Sequence, residues 1–464
     1  MVVSPAGRPL AVALDLGSTL IKAGILDARE RIVDVRSIPS PSLQGSHGRR
    51  ETDPMAYCHA ADEILERITA QVPAGTALGI ACQRSSFLLW NRKTGVPVTP
   101  LISWQDRRAA AWCARHEDAR DQVAIHSGLR LSPHHAGPKL AAIQEEDPSV
   151  GRAIRAGDLL FGTLETFLVW RWLDGREHVT DASMAARTCL FELSAGQWSP
   201  WLLELFGVPA EILPAIRHTA GRPILLKNGL ALVATVADQA AATLATLREG
   251  THEALINLGT GTFVLRSCAP EDRRAGYLTG CVYGGAGGVA RFALEGTING
   301  NGGEGGRNSW PPALPVTDPA PRAFCLPDNA GLGSPHWRPD LSLIFSAGAA
   351  GLDHAGRGRL LLEGLLFRIR QILGDLFPDQ PPDQVILSGG LARLPVLNAG
   401  LATLLGRPVL GLTQAEQTLH GTARLAAGLD LHGHAMGRTS YPAPEGAYLD
   451  AKYQAWRSWL STLL

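Results

Sequence analysis

From Leu10 onward, short apolar runs are broken by glycine-rich turns. LAVALDLGSTLIKAGILD, Leu10 to Asp27, is an apolar run, the triplet Gly17-Ser18-Thr19, and a second apolar run. That order predicts strand, tight turn, strand. The same form returns in EALINLGTGTFVLRS, Glu253 to Ser267. Leu16-Gly17-Ser18-Thr19 and Leu258-Gly259-Thr260-Gly261 lie about half the chain apart, which predicts a duplicated architecture with a hairpin opening each half.

The rest alternates between the two periods. ALGIACQR is an apolar strand ending at Arg84, and MAYCHAADEILERITAQ, between Pro54 and Val72, has helical spacing. QVILSGGLARLPVLNAGLATLLG predicts strand, Gly389-Gly390 turn and helix, and EQTLHGTARLAAGL a further helix. Alternation of this kind predicts an α/β fold. Residues 299 to 328 are rich in Gly and Pro and predict an irregular loop. The domain boundary is expected near 247, giving domains 1–247 and 248–464.

Composition narrows the class. With 464 residues, length alone would suggest about three domains, though long α/β units can make two. The apolar fraction is 45%, and Lys plus Arg equals Asp plus Glu at 43 each, so no broad attraction to nucleic acid or anionic membrane is expected. The seven cysteines are scattered without a CxxC, as unpaired thiols in a reducing compartment would be. Neither a signal peptide nor a run long enough to span a bilayer is read, so a cytoplasmic protein is expected.

The two hairpins carry candidate chemistry. A Gly-x-Thr turn presents closely spaced N–H groups and hydroxyls that can wrap phosphate oxygens, because glycine lets the backbone approach. Ordinary hairpin turns would look the same. Asp15, just before the first turn, is a candidate for Mg²⁺ through water, and Lys22 could add positive charge. The Gly389-Gly390 turn before a helix could seat an adenosine. In ATVADQAAATLA, Asp238 and Gln239 are polar residues among small apolar ones, an expensive place for a carboxylate unless it acts there or caps a helix.

In order along the chain, ACQRSSFLLWNRKTGVPVTPLISWQDRRAA, FGTLETFLVWRWLDGREHVTDASMAARTCLF, LGTGTF, GLGSPHW and LSGGLARLP resemble the FGGY carbohydrate kinases, and among them the glycerol kinases most. The resemblance runs from about Leu10 to Gly428. It implies two RNase H-like domains of the actin and sugar-kinase ATPase type flanking a deep cleft. It implies ATP and Mg²⁺, and a small polyol or sugar as acceptor. Asp238 would be the general base and Gln239 a partner for a neighbouring hydroxyl. Gly17, Ser18, Thr19, Gly259, Thr260 and Gly261 would surround the phosphates, with Asp15 at the metal and Gly389 and Gly390 beside the adenosine.

The acceptor side departs from the pattern. Arg84 is kept, but Ser85 stands where glycerol kinases have Glu, and His134 where they have Tyr. Trp104 and Phe263 match the apolar walls, although plain core packing would also account for them. The segment after LEG lacks the helix and longer insertion of glycerol kinases. A polyol or sugar that need not be glycerol is therefore expected, and Arg84, Ser85, Trp104, His134, Asp238, Gln239 and Phe263 are the expected acceptor residues. Asp106, Arg107 and Arg108 are read as structural ion pairing near the pocket. A ketose kinase of the xylulokinase type, another ATPase on the same fold, or a non-catalytic sugar- or nucleotide-binding homologue are the alternatives. A second copy of the chain, as a homodimer, is a candidate partner.

Overall fold

The structure, a computed structural model, describes residues 9–259, 261–300, 310–414, 416–431 and 436–464. Ala11–Leu16, Leu20–Leu26 and Ile32–Pro39 form an antiparallel meander. Ala77–Cys82 pairs parallel to the first strand, Ala231–Ala237 parallel to that, and Ala220–Leu225 closes the edge antiparallel. The second sheet repeats this plan. Glu253–Leu258 pairs antiparallel with Thr262–Cys268, and Ala290–Ile298 and Leu278–Gly284 follow on that side. On its other side come Gln384–Ser388 and Val409–Leu412, both parallel, then Gly437–Ser440 antiparallel. The duplication expected from the two hairpins is thus present strand for strand, with one extra strand in the second sheet.

The central strands read as unbroken apolar runs because both sheet faces are covered. Ala11 to Leu14 and Leu78, Ile80 and Ala81 are fully buried. One cover is the helix Pro54–Thr69, started by Asp53, whose side chain accepts the Met55 N–H at 2.8 Å, with Pro54 in its first turn. Tyr57, Cys58, Ala61, Ile64, Leu65 and Ile68 line its inner stripe. Between Ala77–Cys82 and Ala231–Ala237 the chain inserts a further four-stranded sheet of Glu51–Thr52, Leu101–Ile102, Phe87–Asn91 and Leu159–Thr163, partly built from residues ahead of them. It has its own core, including Phe87, Trp112, Phe161 and Phe206.

The two halves interlock. The helix Gln417–Ala427 belongs to the second half by sequence, yet Leu419, Ala423, Leu425 and Ala426 join the core of the first sheet. Glycines permit this contact. A Cβ on Gly79 would lie 2.6 Å from the Thr422 carbonyl oxygen, and one on Gly421 would run into the carbonyl of Ala241. The described part of the segment 299–328 is irregular, as expected, apart from the two-residue strand Cys325–Leu326. Asp328 and Arg368, both fully buried, pair at 3.1 Å and tie this segment to the helix His354–Leu376. All seven cysteines are unpaired, and no described helix is long and apolar enough to cross a membrane.

Gly421→Ala is expected to lower unfolding stability by about 2 kcal/mol through overpacking against Ala241. Denaturant unfolding measures it, and an unchanged midpoint would contradict this account of how the halves are joined.

Candidate active site

Strand register builds the site. Leu16 and Ala237 both lie level with Cys82 in the parallel part of the first sheet. Gly17, Gln83 and Asp238 therefore leave the carboxyl ends of three neighbouring strands side by side, where ligands bind in open α/β sheets. The second sheet does the same with Asn257 level with Ser388, which brings the turn at Gly259 beside Gly389.

The first turn is tightly held. The Gly17 carbonyl accepts from Ser40 Oγ at 2.8 Å and Tyr57 Oη at 3.3 Å, and a Cβ on Gly17 would sit 2.6 Å from the Leu20 oxygen. Ser18 is half-buried and Thr19 exposed. Gly389 has φ +87°, and a Cβ there would meet the Leu258 oxygen at 2.5 Å, so only glycine fits between the two strand ends. Gly390 is exposed, whereas Gly259 and Gly261 are half-buried. Thr260 lies outside the described residues.

Asp15 and Asp238 face a shared problem. Asp15 Oδ1 is buried with no hydrogen-bond partner among the described residues. Burial, then the charge of Asp238, pushes its carboxyl up to about 8, against the pull of Lys22. Lys22 stands opposite Asp15 in the hairpin, but its ammonium is already paired with Glu416 at 2.8 Å. The positive charge expected of Lys22 is thus shared with Glu416. Asp238 opens the helix Asp238–Leu244, and its side chain is 35% exposed. Its Oδ1 accepts the Gln239 N–H at 2.7 Å. Desolvation raises its pKa, opposed by Arg84, that N–H and Arg187, and reinforced by Glu295. Gln239 is buried, and neither amide atom of its side chain has a partner among the described residues. Buried polar atoms in native proteins are nearly always bonded, so Asp15 Oδ1 and the Gln239 amide are candidate ligand contacts.

Arg84 Nε lies 3.9 Å from Asp238 Oδ1, and another of its nitrogens lies 3.1 Å from Glu295. Its guanidinium is 5.7 Å from the Phe263 ring centre. The Trp104 and His134 rings are 5.4 Å apart. Trp104 N–H donates to Ser86 Oγ at 3.0 Å, and the buried Lys139 ammonium donates to the carbonyls of Ser103 and His134 at 2.7 and 3.1 Å. Lys139 thus ties the segments of Trp104 and His134 together, and burial lowers its pKa to about 7. Burial, then the charges of His135, Lys139, Arg187 and Arg84, holds His134 well below the usual imidazole range. It is a neutral ring at pH 7.

Ser85 is corrected. It is fully buried at φ +63°, and its hydroxyl donates to the Arg187 carbonyl at 2.8 Å, so that hydroxyl is engaged within the protein. Asp106 and Arg108 form the expected ion pair at 2.8 Å, joined by Glu51, while Arg107 is exposed. Sequence reading passed over Glu295, Arg187 and Lys139. A lone Glu inside the apolar strand Ala290–Ile298 was the available signal for the first.

Among the described residues no three His, Cys, Asp or Glu side chains gather to cage a metal ion. A divalent ion held mainly by water and phosphate with one carboxylate fits such a site, and the orphaned Asp15 oxygen is the candidate for that carboxylate.

Two family models match. The N-terminal domain of the FGGY family of carbohydrate kinases covers residues 10–236, and its C-terminal domain covers 254–428. A glycerol kinase of Methylobacterium nodulans is similar, 32% identical over 94% of this chain and 91% of its own. Plasmodium falciparum glycerol kinase, solved with ADP, superposes with a TM-score of 0.83 at 20% identity over 99% of each chain. A xylulose kinase from Lactobacillus acidophilus gives 0.83 at 19% over 98% of each.

The unpaired Asp15 yields a stability prediction. Its folded carboxyl keeps a proton that the unfolded chain gives up above pH 3.8. The ligand-free fold therefore loses stability as pH rises from there to about 8 and levels off beyond. Asp15→Asn is expected to raise the melting temperature of the ligand-free protein, by a margin that grows across that window. A variant no more stable than the parent at pH 8 would contradict the orphaned carboxylate.

Proposed function

The chain belongs to the FGGY family of carbohydrate kinases, and on that premise we propose that it transfers the γ-phosphoryl group of ATP to a hydroxyl of a small polyol or sugar, with Asp238 as the base. One observation carries this reading. Asp238 is a partly open carboxylate at the end of a buried strand, level with the Gly17 turn and 3.9 Å from Arg84.

Phosphoryl transfer asks a protein mainly for positioning and for stabilisation of charge. The Asp238 carboxylate takes the proton from the acceptor hydroxyl as that oxygen bonds to the γ-phosphorus and the bond to the ADP oxygen breaks. Desolvation, the largest influence on Asp238, raises its basicity, and Arg84 and Arg187 oppose that rise. Gln239 bonds a neighbouring hydroxyl with its unpaired amide, Arg84 anchors the acceptor, and Trp104, His134 and Phe263 wall it. Both rings on the first-half side are neutral, which suits the carbon face of a polyol.

Gly17, Ser18, Thr19, Gly259, Thr260 and Gly261 line the phosphates, and Gly389 and Gly390 flank the adenosine. Asp15 holds Mg²⁺ together with the nucleotide, and the ion supplies neutralisation of phosphate charge. The unpaired cysteines, all buried but the half-buried Cys268, suit a reducing compartment, and we place the enzyme in the cytoplasm.

Asp238→Asn is expected to lower turnover by about a thousandfold while ATP affinity stays within about twofold, since only the proton acceptor is removed. ADP release and nucleotide titration read the two quantities. Near-normal turnover would refute the role given to Asp238.

A further inference from the structure

The acceptor site contains a carboxylate that sequence reading did not supply. Glu295 lies in the strand Ala290–Ile298 of the second half, 4% exposed. It is opposite Leu265, two cross-strand pairs from Phe263 and Thr297, so Glu295 and Phe263 share a sheet face. Arg84, from the first half, reaches onto that face. Glu295 Oε2 accepts from Arg84 at 3.1 Å, while Glu295 Oε1 lies 3.5 Å from Arg187 and accepts from Thr297 Oγ1 at 3.5 Å. The charges alternate along one line: Asp238, Arg84, Glu295, Arg187.

We propose that Glu295 is a specificity-determining carboxylate of the acceptor site, and that it restricts the acceptor to uncharged polyhydroxyl compounds. The inference rests on the kinase reading above. Two buried guanidiniums beside a pocket would otherwise recruit a carboxylate. Glu295 already occupies both, so an acceptor carboxylate within reach of Arg84 would meet Glu295 and Asp238 together, and like charges at close quarters reject a ligand. What remains for the acceptor is suited to hydroxyls. The buried Arg187 Nε–H has no partner among the described residues, and the Gln239 amide offers one donor and one acceptor function. Glu295 also makes the site depend on both halves, since Arg84 is gripped by two residues of the second sheet.

The test uses the full chain and Glu295→Gln. Glycerol, erythritol and xylitol are compared with glycerate, erythronate and xylonate, by ADP release with ATP and Mg²⁺ and by calorimetric titration without nucleotide. For the wild type, a neutral polyol is expected to exceed its matching acid by about a hundredfold or more in kcat/KM. For Glu295→Gln, the neutral acceptor is expected to lose about tenfold, mainly through KM, and the ratio to move at least about tenfold toward the acid. An unchanged ratio, or a wild type that prefers an acid, overturns the inference.

The titrations separate it from the kinase reading. Binding of a neutral polyol without ADP release refutes the reading and leaves the inference standing, whereas binding of neither class overturns both. Melting of Arg84→Met, Glu295→Gln and the double variant supplies a readout free of substrate. The double variant is expected to lose no more than the worse single one, and additive losses overturn the Arg84–Glu295 coupling.

Discussion

The parallel register of three strands is the constraint on which the site depends. Ala77–Cys82 lies between Ala11–Leu16 and Ala231–Ala237, with Leu16 and Ala237 both level with Cys82. A slip of one residue in either pairing would turn Asp15 or Asp238 to the other sheet face. The burial that fixes this register comes from the apolar runs, and it is also what strips water from Asp15. Stability of the sheet and strain at the site thus have one origin.

That strain is shared between charged groups rather than removed. Asp238 has Arg84 at 3.9 Å instead of in direct contact, because Glu295 holds Arg84 more closely at 3.1 Å. A tight Asp238–Arg84 pair would lower the basicity of the carboxylate. Glu295 itself is buried, yet Arg187 and Arg84 outweigh that burial and hold it below the usual carboxylate range. The result is a carboxylate with a cation nearby that is not tied up in a direct contact. The polar atoms left unpaired, on Asp15, Gln239 and Arg187, are those a nucleotide-bound cation and a hydroxylated acceptor would satisfy.

Much of this was legible in the sequence where the signal was local. The two hairpins, the helix after Asp53 and the Asp238-Gln239 pair stand out because period and turn residues are read within a dozen positions. The small sheet was not legible, since Glu51–Thr52 and Leu101–Ile102 are too short to show alternation. Ser85 misled because nothing in its neighbours announces a left-handed backbone that turns its hydroxyl to Arg187. The partners of Arg84 and Lys22 come from residues more than two hundred positions away, Glu295 and Glu416, and pairing at that range depends on how the halves dock. The same holds for the helix Gln417–Ala427, whose place in the first core no local pattern reveals.

The most direct measurement is phosphorus NMR of the wild-type protein incubated with ATP, Mg²⁺ and a set of neutral polyols and sugars. The account predicts ADP together with an equal amount of a phosphate monoester on one acceptor. ADP accompanied by inorganic phosphate alone would mean that water is the acceptor, and would contradict the assignment of Asp238, Arg84 and Gln239 to a polyol site.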